Sequence, residues 1–147
     1  MSSNDRRVIV ALDVETGDQA LNIVNGCDRK ISFFKIGKQL FTAEGPDIVR
    51  RIKATGSRVF LDLKYHDIPN TVAHAAIEAA RLGADIVDIH TSGGSEMMRR
   101  TAVDMRAACE AVSSTRSNIL RITANFPFGT GRSTATWGGL RSTATAS

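Results

Sequence analysis

The residues with the clearest capacity for chemistry lie in one run, Asp62-Leu-Lys-Tyr-His-Asp-Ile-Pro-Asn-Thr71, directly after the apolar Val59-Phe-Leu. In an extended segment, residues two apart face the same side, so Asp62 and Lys64 are expected to point together toward the end of a strand. Asp67 falls just beyond, where the strand gives way to the loop before Pro69. Two carboxylates flanking an ammonium make either a preorganised charge cluster or a structural ion pair with a solvated loop acid. At about 4 Å and an effective dielectric near 20, each Lys–Asp contact is worth roughly 4 kcal/mol before desolvation is subtracted. Lys35 shifts the balance toward a site. It follows Phe33-Phe34 with no packing role of its own, and Asp13 closes another apolar run, Val8-Ile-Val-Ala-Leu12.

Other polar residues carry less. His66, Asp67 and His90 lack the His-x-x-x-His or Cys-x-x-Cys spacing of a metal site, and no metal is expected. His66 reads as a packing or loop histidine, and His74 as a surface residue on a helix. Gly93-Gly94 before Ser95 fits either an anion-binding helix start or a plain turn. Met97, Met98 and Met105 read as core.

The elements that must position the charged residues follow from the apolar pattern. Val8–Asp13, Phe33–Ile36, Val59–Lys64 and Ile86–His90 read as buried parallel strands. Between them lie helical patterns: Asp18–Val24 after the turn Glu15-Thr16-Gly17, a helix opened by Pro46 and closed by Gly56, and an alanine-rich one opened by Pro69 and closed by Gly83. A fourth, capped by Ser95, carries Met98, Ala102, Met105, Cys109 and Val112 along one face. The strand starts at 8, 33, 59 and 86 are 25, 26 and 27 residues apart, a βα unit repeated four times. A polar residue near the end of every strand (Asp13, Lys35, Asp62 with Lys64, His90) favours a closed barrel, whose site gathers at one rim, over an open sheet.

A complete barrel takes about 200–250 residues, and the chain has 147. Only Ile119–Thr123 is left as a possible fifth strand. From Gly129 to Ser147, seventeen of nineteen residues are Gly, Thr, Ser, Ala or Arg, too little apolar surface to offset ordering entropy. The net charge of +4 also arises there. Residues 1–110 hold fifteen basic and fifteen acidic residues, and only Arg116, Arg121, Arg132 and Arg141 follow. With no basic stripe on a folded element, nucleic-acid binding is not expected. No apolar run reaches the roughly 18–20 residues of a membrane span, and neither a signal peptide nor a membrane role is expected. Cys27 and Cys109 cannot build a disulfide framework, which fits a cytoplasmic protein.

The run Phe60-Leu-Asp-Leu-Lys-Tyr-His-Asp-Ile-Pro-Asn-Thr-Val72 resembles the signature of the orotidine 5′-phosphate decarboxylase family. Val10-Ala-Leu-Asp13, Phe34-Lys-Ile-Gly37 and His90-Thr-Ser-Gly-Gly-Ser-Glu-Met-Met98 agree with it, over roughly residues 7–112. The resemblance implies a (β/α)8 TIM-barrel fold, here as a half barrel of about four βα units, residues 1–118, with an atypical disordered tail, 119–147. It implies decarboxylation of orotidine 5′-phosphate to UMP, without metal or organic cofactor, in pyrimidine biosynthesis. Lys64 would protonate C6 of the ring and Asp62 would sit beside the departing carboxylate. Lys35 would contact the sugar and hold Asp62, while Asp13 would bind the sugar hydroxyls. Asp67, with Thr71 nearby, would reach across a homodimer interface to the partner's ribose.

Two alternatives remain open at the level of sequence. Magnesium-dependent sugar-phosphate decarboxylases of the same superfamily share Asp-x-Lys-x-x-Asp but carry a metal-binding acid where this chain has Lys35. The second is a catalytically inactive fragment. The family holds its substrate phosphate with a glutamine and an arginine from the second half of the barrel, for which this sequence has no counterpart. Arg132 in Gly129-Thr-Gly-Arg132 has no strand before it and no helix pattern after it. The stretch after about Ile119, devoid of acids, reads as the product of a shifted reading frame or a truncated gene.

Overall fold

A computed structural model describes residues 8–28, 30–112 and 121–125, of which 109–112 and 121–125 are described by backbone alone. Strands alternate with helices, two of which separate the second strand from the third: β1 (Val10–Ala11), α1 (Gly17–Gly26), β2 (Phe33–Gly37), α2 (Lys38–Glu44), α3 (Asp47–Ala54), β3 (Arg58–Tyr65), α4 (Pro69–Arg81), β4 (Ile86–His90), α5 (Gly94–Val112) and β5 (Arg121–Asn125). The chain divides into two compact units, Met1–Leu63 with Arg81–Asp85, and Lys64–Ala80 with Ile86–Ser147. Among the described residues, no helix is long and apolar enough to cross a membrane.

In the first unit, β2 pairs in parallel with β1 on one side and β3 on the other, with Ala11 opposite Lys35 and Lys35 opposite Phe60. Strand β1 is shorter than the expected Val8–Asp13, and Val8 and Ile9 are exposed. Leu12, fully buried, still donates its N–H to the Lys35 carbonyl at 2.9 Å. Helix α1 begins where a capping box dictates: Thr16 Oγ1 accepts from Gln19 N–H, and Gln19 Oε1 accepts from Thr16 N–H. Helix α3 buries Ile48, Val49 and Ile52 completely, with Pro46 at its N-cap. Helix α2 was not expected from sequence. It has seven residues and one buried side chain, Leu40, so it offers almost no apolar periodicity to read.

In the second unit, β4 and β5 pair in parallel, with Asp88 opposite Thr123 and His90 opposite Asn125. The fifth strand therefore runs Arg121–Asn125 rather than the expected Ile119–Thr123. Helix α5 starts at Gly94, which puts Ser95 inside its first turn rather than at its cap. Among the described residues its buried side chains are Met97, Thr101 and Met105: Met97 and Met105 are core as expected, whereas Thr101 is buried where Ala102 was expected, and Met98 and Ala102 are half-buried. Thr101 can be buried because its hydroxyl donates to the Met97 carbonyl at 2.8 Å. The expected roles of Cys109 and Val112 on that face, of Arg132, and of the tail beyond Asn125 lie outside the described residues.

Asp85 ties the first unit together. Its Oδ2 accepts from the Val59 N–H at 2.7 Å and lies 2.8 Å from Lys53 Nζ, while its own N–H donates to the Val59 carbonyl. Removing the carboxylate takes the acceptor from a buried N–H, which costs about 1–3 kcal/mol. Asp85→Ala is expected to lower the urea-unfolding free energy by that amount; an unchanged midpoint would contradict the role given to this bond.

Candidate active site

Lys35 is the middle residue of β2, not its end as the sequence reading had it. Its register partners are Ala11 on β1 and Phe60 on β3. Asp13 and Asp62 each lie two residues further along their own chains, so both carboxylates stand one pleat step beyond the lysine. Two strand residues span about 6.6 Å, a distance the four-carbon lysine stem can cover. Lys35 Nζ accordingly lies 3.4 Å from Asp13 Oδ1 and 3.3 Å from Asp62 Oδ2. The two contacts differ in weight. The Asp13 side chain is 73% exposed, so its pairing is screened by water; Asp62 is 12% exposed, and its contact with the cation is screened far less.

Lys64 departs from simple strand alternation. Its φ is 52°, in the left-handed region, so the rule that placed its side chain with that of Asp62 does not hold there. Its N–H donates to Asp88 Oδ1 at 2.8 Å, and its Nζ lies 3.9 Å from Asp88 Oδ2. Asp88 is not among the residues expected from sequence, although it carries the same signal as Asp62: a carboxylate inside the apolar run Ile86-Val87-Asp88-Ile89. It is buried. Next to Lys64, burial pushes the Tyr65 phenol above its usual value of 10.0, and the negative charge of Asp88 adds to the shift.

The loop after β3 is anchored by rings. His66 stacks on His90 with centroids 5.1 Å apart and planes 17° from parallel, and His90 Nδ1 lies 2.6 Å from Ser92 Oγ. Gly93 permits this approach: a Cβ there would overlap the Met97 side chain and come within 3.2 Å of His66 Cδ2. His66 is thus the packing or loop histidine the sequence suggested, and His74 is exposed on α4. Asp67 is exposed, with Oδ1 accepting from the Ile68 N–H at 2.6 Å, and Thr71 is exposed in the first turn of α4. The structure therefore brings Lys35 together with Asp13 and Asp62, and pairs Lys64 with Asp88. Asp67 forms no ion pair among the described residues, and none of them form a group of three or more His, Cys, Asp or Glu suited to a metal ion.

A family profile described as "Orotidine 5'-phosphate decarboxylase / HUMPS family" matches residues 6–119. The chain belongs to this family. Among curated relatives, the orotidine 5′-phosphate decarboxylase of Syntrophotalea carbinolica is 54% identical over 101 residues, covering 69% of this chain and 41% of that protein. The enzyme of that name from Nitrosomonas europaea is 43% identical over 120 residues, covering 82% of this chain and 49% of its own length. The crystal structure of orotidine 5′-phosphate decarboxylase from Lactobacillus acidophilus superposes with a TM-score of 0.69 at 35% identity, covering 82% of this chain and 52% of that one. The fold is the α/β architecture of this TIM-barrel family, and the chain spans about half the length of the relatives it matches.

Tyr65 is the sole tyrosine of the chain, so tyrosinate absorbance has one source. A phenol whose pKa is raised on folding keeps its proton longer in the folded chain than in the unfolded one. Stability is then unaffected well below pH 10 and falls as pH rises through the interval between the unfolded and folded values. Absorbance titration at about 295 nm is expected to give a higher midpoint for the folded chain than for the chain in urea, near 10. Coincident midpoints would contradict the burial of Tyr65 beside Asp88.

Proposed function

We propose that the chain carries the charged residues for decarboxylation of orotidine 5′-phosphate to UMP, a carboxy-lyase step of pyrimidine biosynthesis. The single observation that carries the reading is the Lys35 ammonium between Asp13 and Asp62, in a chain of this family. In the reaction the bond from C6 to the carboxylate breaks and carbon dioxide leaves. Its electron pair stays on C6, with no adjacent π system to spread it, and a proton from the Lys64 ammonium closes the valence. A fixed cation at that carbon stabilises the developing charge without reorganising, so neither metal nor organic cofactor is required.

The remaining residues take positioning and binding roles. Asp62 stands beside the departing carboxylate, where its negative charge disfavours the bound carboxylate more than the neutral product. Lys35 holds Asp62 and contacts the sugar, and Asp13 binds sugar hydroxyls. Asp67 and Thr71, both exposed, serve the partner's site in a cytoplasmic homodimer. The magnesium-dependent alternative is disfavoured by Lys35 itself: an ammonium stands where that chemistry needs an anionic oxygen ligand, and it repels a divalent cation.

The test is direct. Purified 147-residue chain is incubated with orotidine 5′-phosphate and the loss of its ultraviolet absorbance is followed. The wild type is expected to turn over, and Lys64→Ala to slow turnover by at least about 100-fold, the lower end for loss of a positioned proton donor. Absence of turnover in the wild-type chain would favour the inactive-fragment reading. Turnover unaffected by Lys64→Ala would remove the lysine from its role.

A further inference from the structure

Asp88 occupies the centre of β4 and is 4% exposed. Burying an ionised carboxylate costs several kcal/mol even after relaxation, unless charges and hydrogen bonds compensate. An apolar side chain would fill this position of the strand at less cost, so the carboxylate needs a reason. Both of its oxygens address Lys64: Oδ1 accepts the backbone N–H, and Oδ2 faces the ammonium.

Lys64 in turn holds a conformation that lysine avoids. A left-handed backbone brings the Cβ of an L residue too close to the following carbonyl oxygen. Among the described residues, the other non-glycine with positive φ is Asp28, and aspartate is one of the few types that enter this region readily. Glycine at position 64 would adopt the angle without strain but would bring no ammonium. Strain held at a residue of chemical interest, against a buried group that compensates it, points to a requirement on where the side chain stands.

We propose that Asp88 is a positioning residue for Lys64, one buried carboxylate gripping the lysine at its backbone N–H and at its ammonium. The proposal rests on the reading of Lys64 as the proton donor and gives Asp88 no contact with substrate. Asp88 fixes the turn of the backbone from which the lysine side chain leaves β3, and its charge directs the ammonium.

Trace acetylation of the full chain with acetic anhydride at pH 8, read by peptide mass spectrometry, tests this without ligand or turnover. The amine has to come clear of its partner to meet the reagent, and a carboxylate that grips it hinders this. In Asp88→Asn, the labelling of Lys64 relative to exposed Lys38 is expected to rise by about threefold or more as the released side chain meets the reagent more freely, a modest factor because it is already partly solvated. The ratio for Lys53, which pairs with Asp85 instead, is expected to stay constant, which a general loosening of the fold would not allow. A Lys64 ratio unchanged within error overturns the proposal while leaving Lys64→Ala turnover to judge the proton-donor reading separately. Should Asp88→Asn fail to fold, hydrogen exchange in the wild type decides. The Lys64 amide is expected to exchange at least about 100-fold more slowly than an unstructured one, and exchange at the unstructured rate overturns the proposal.

Discussion

A lysine ammonium held between two carboxylates is the constraint on which the first unit's candidate site depends. Lys35 reaches Asp13 and Asp62 because β2 is paired in parallel on both sides, and because both acids stand two residues beyond its register partners. A shift of one residue in either pairing would send one carboxylate to the opposite face of the sheet. The charges therefore report on the register, and the register on the charges. The packing beneath supports it: Phe34, Ile36, Val59 and Leu61, which alternate with the polar positions, are fully buried.

The second unit reaches a comparable end by different means. There the lysine is held by an acid from β4, and the backbone accepts an unfavourable angle so that it can be. The loop that follows is steadied by the His66–His90 stack, for which Gly93 leaves room. Strain in one place and close packing in the next is the pattern expected where a charged side chain must stand in a fixed place.

Much of this was legible in the sequence, for identifiable reasons. The strands around Phe33, Val59 and Ile86 are continuous apolar runs bounded by turn residues, so their positions and spacing could be read directly. The charges at Lys35, Asp62 and Lys64 were conspicuous because nothing in an apolar strand explains them. What escaped notice depended on geometry that residue types do not encode. Asp88 carries the same anomaly, but it stands mid-strand, whereas His90 stands at the strand end where barrel sites gather. Lys35 reads as a strand-end residue because the apolar run stops at Ile36, whereas the strand continues to Gly37 and the long stem carries the ammonium one step beyond its own position. No pattern announces a left-handed lysine, since lysine has no preference for that region and its partner Asp88 is 24 residues away in the chain. Helix α2 is too short to show a period, and the buried line of α5 turned on a threonine that satisfies its own hydroxyl within the helix.

The central claim is that Lys35 and Asp62 are energetically coupled through a direct ion pair. A double-mutant cycle with Lys35→Met and Asp62→Asn, followed by urea unfolding, measures that coupling with no assumption about substrate. The account gives a favourable interaction of roughly 0.5–3 kcal/mol, the range for residues in one charged contact. Additive effects of the two substitutions would mean that the carboxylate and the ammonium do not meet, and the candidate site would lose its foundation.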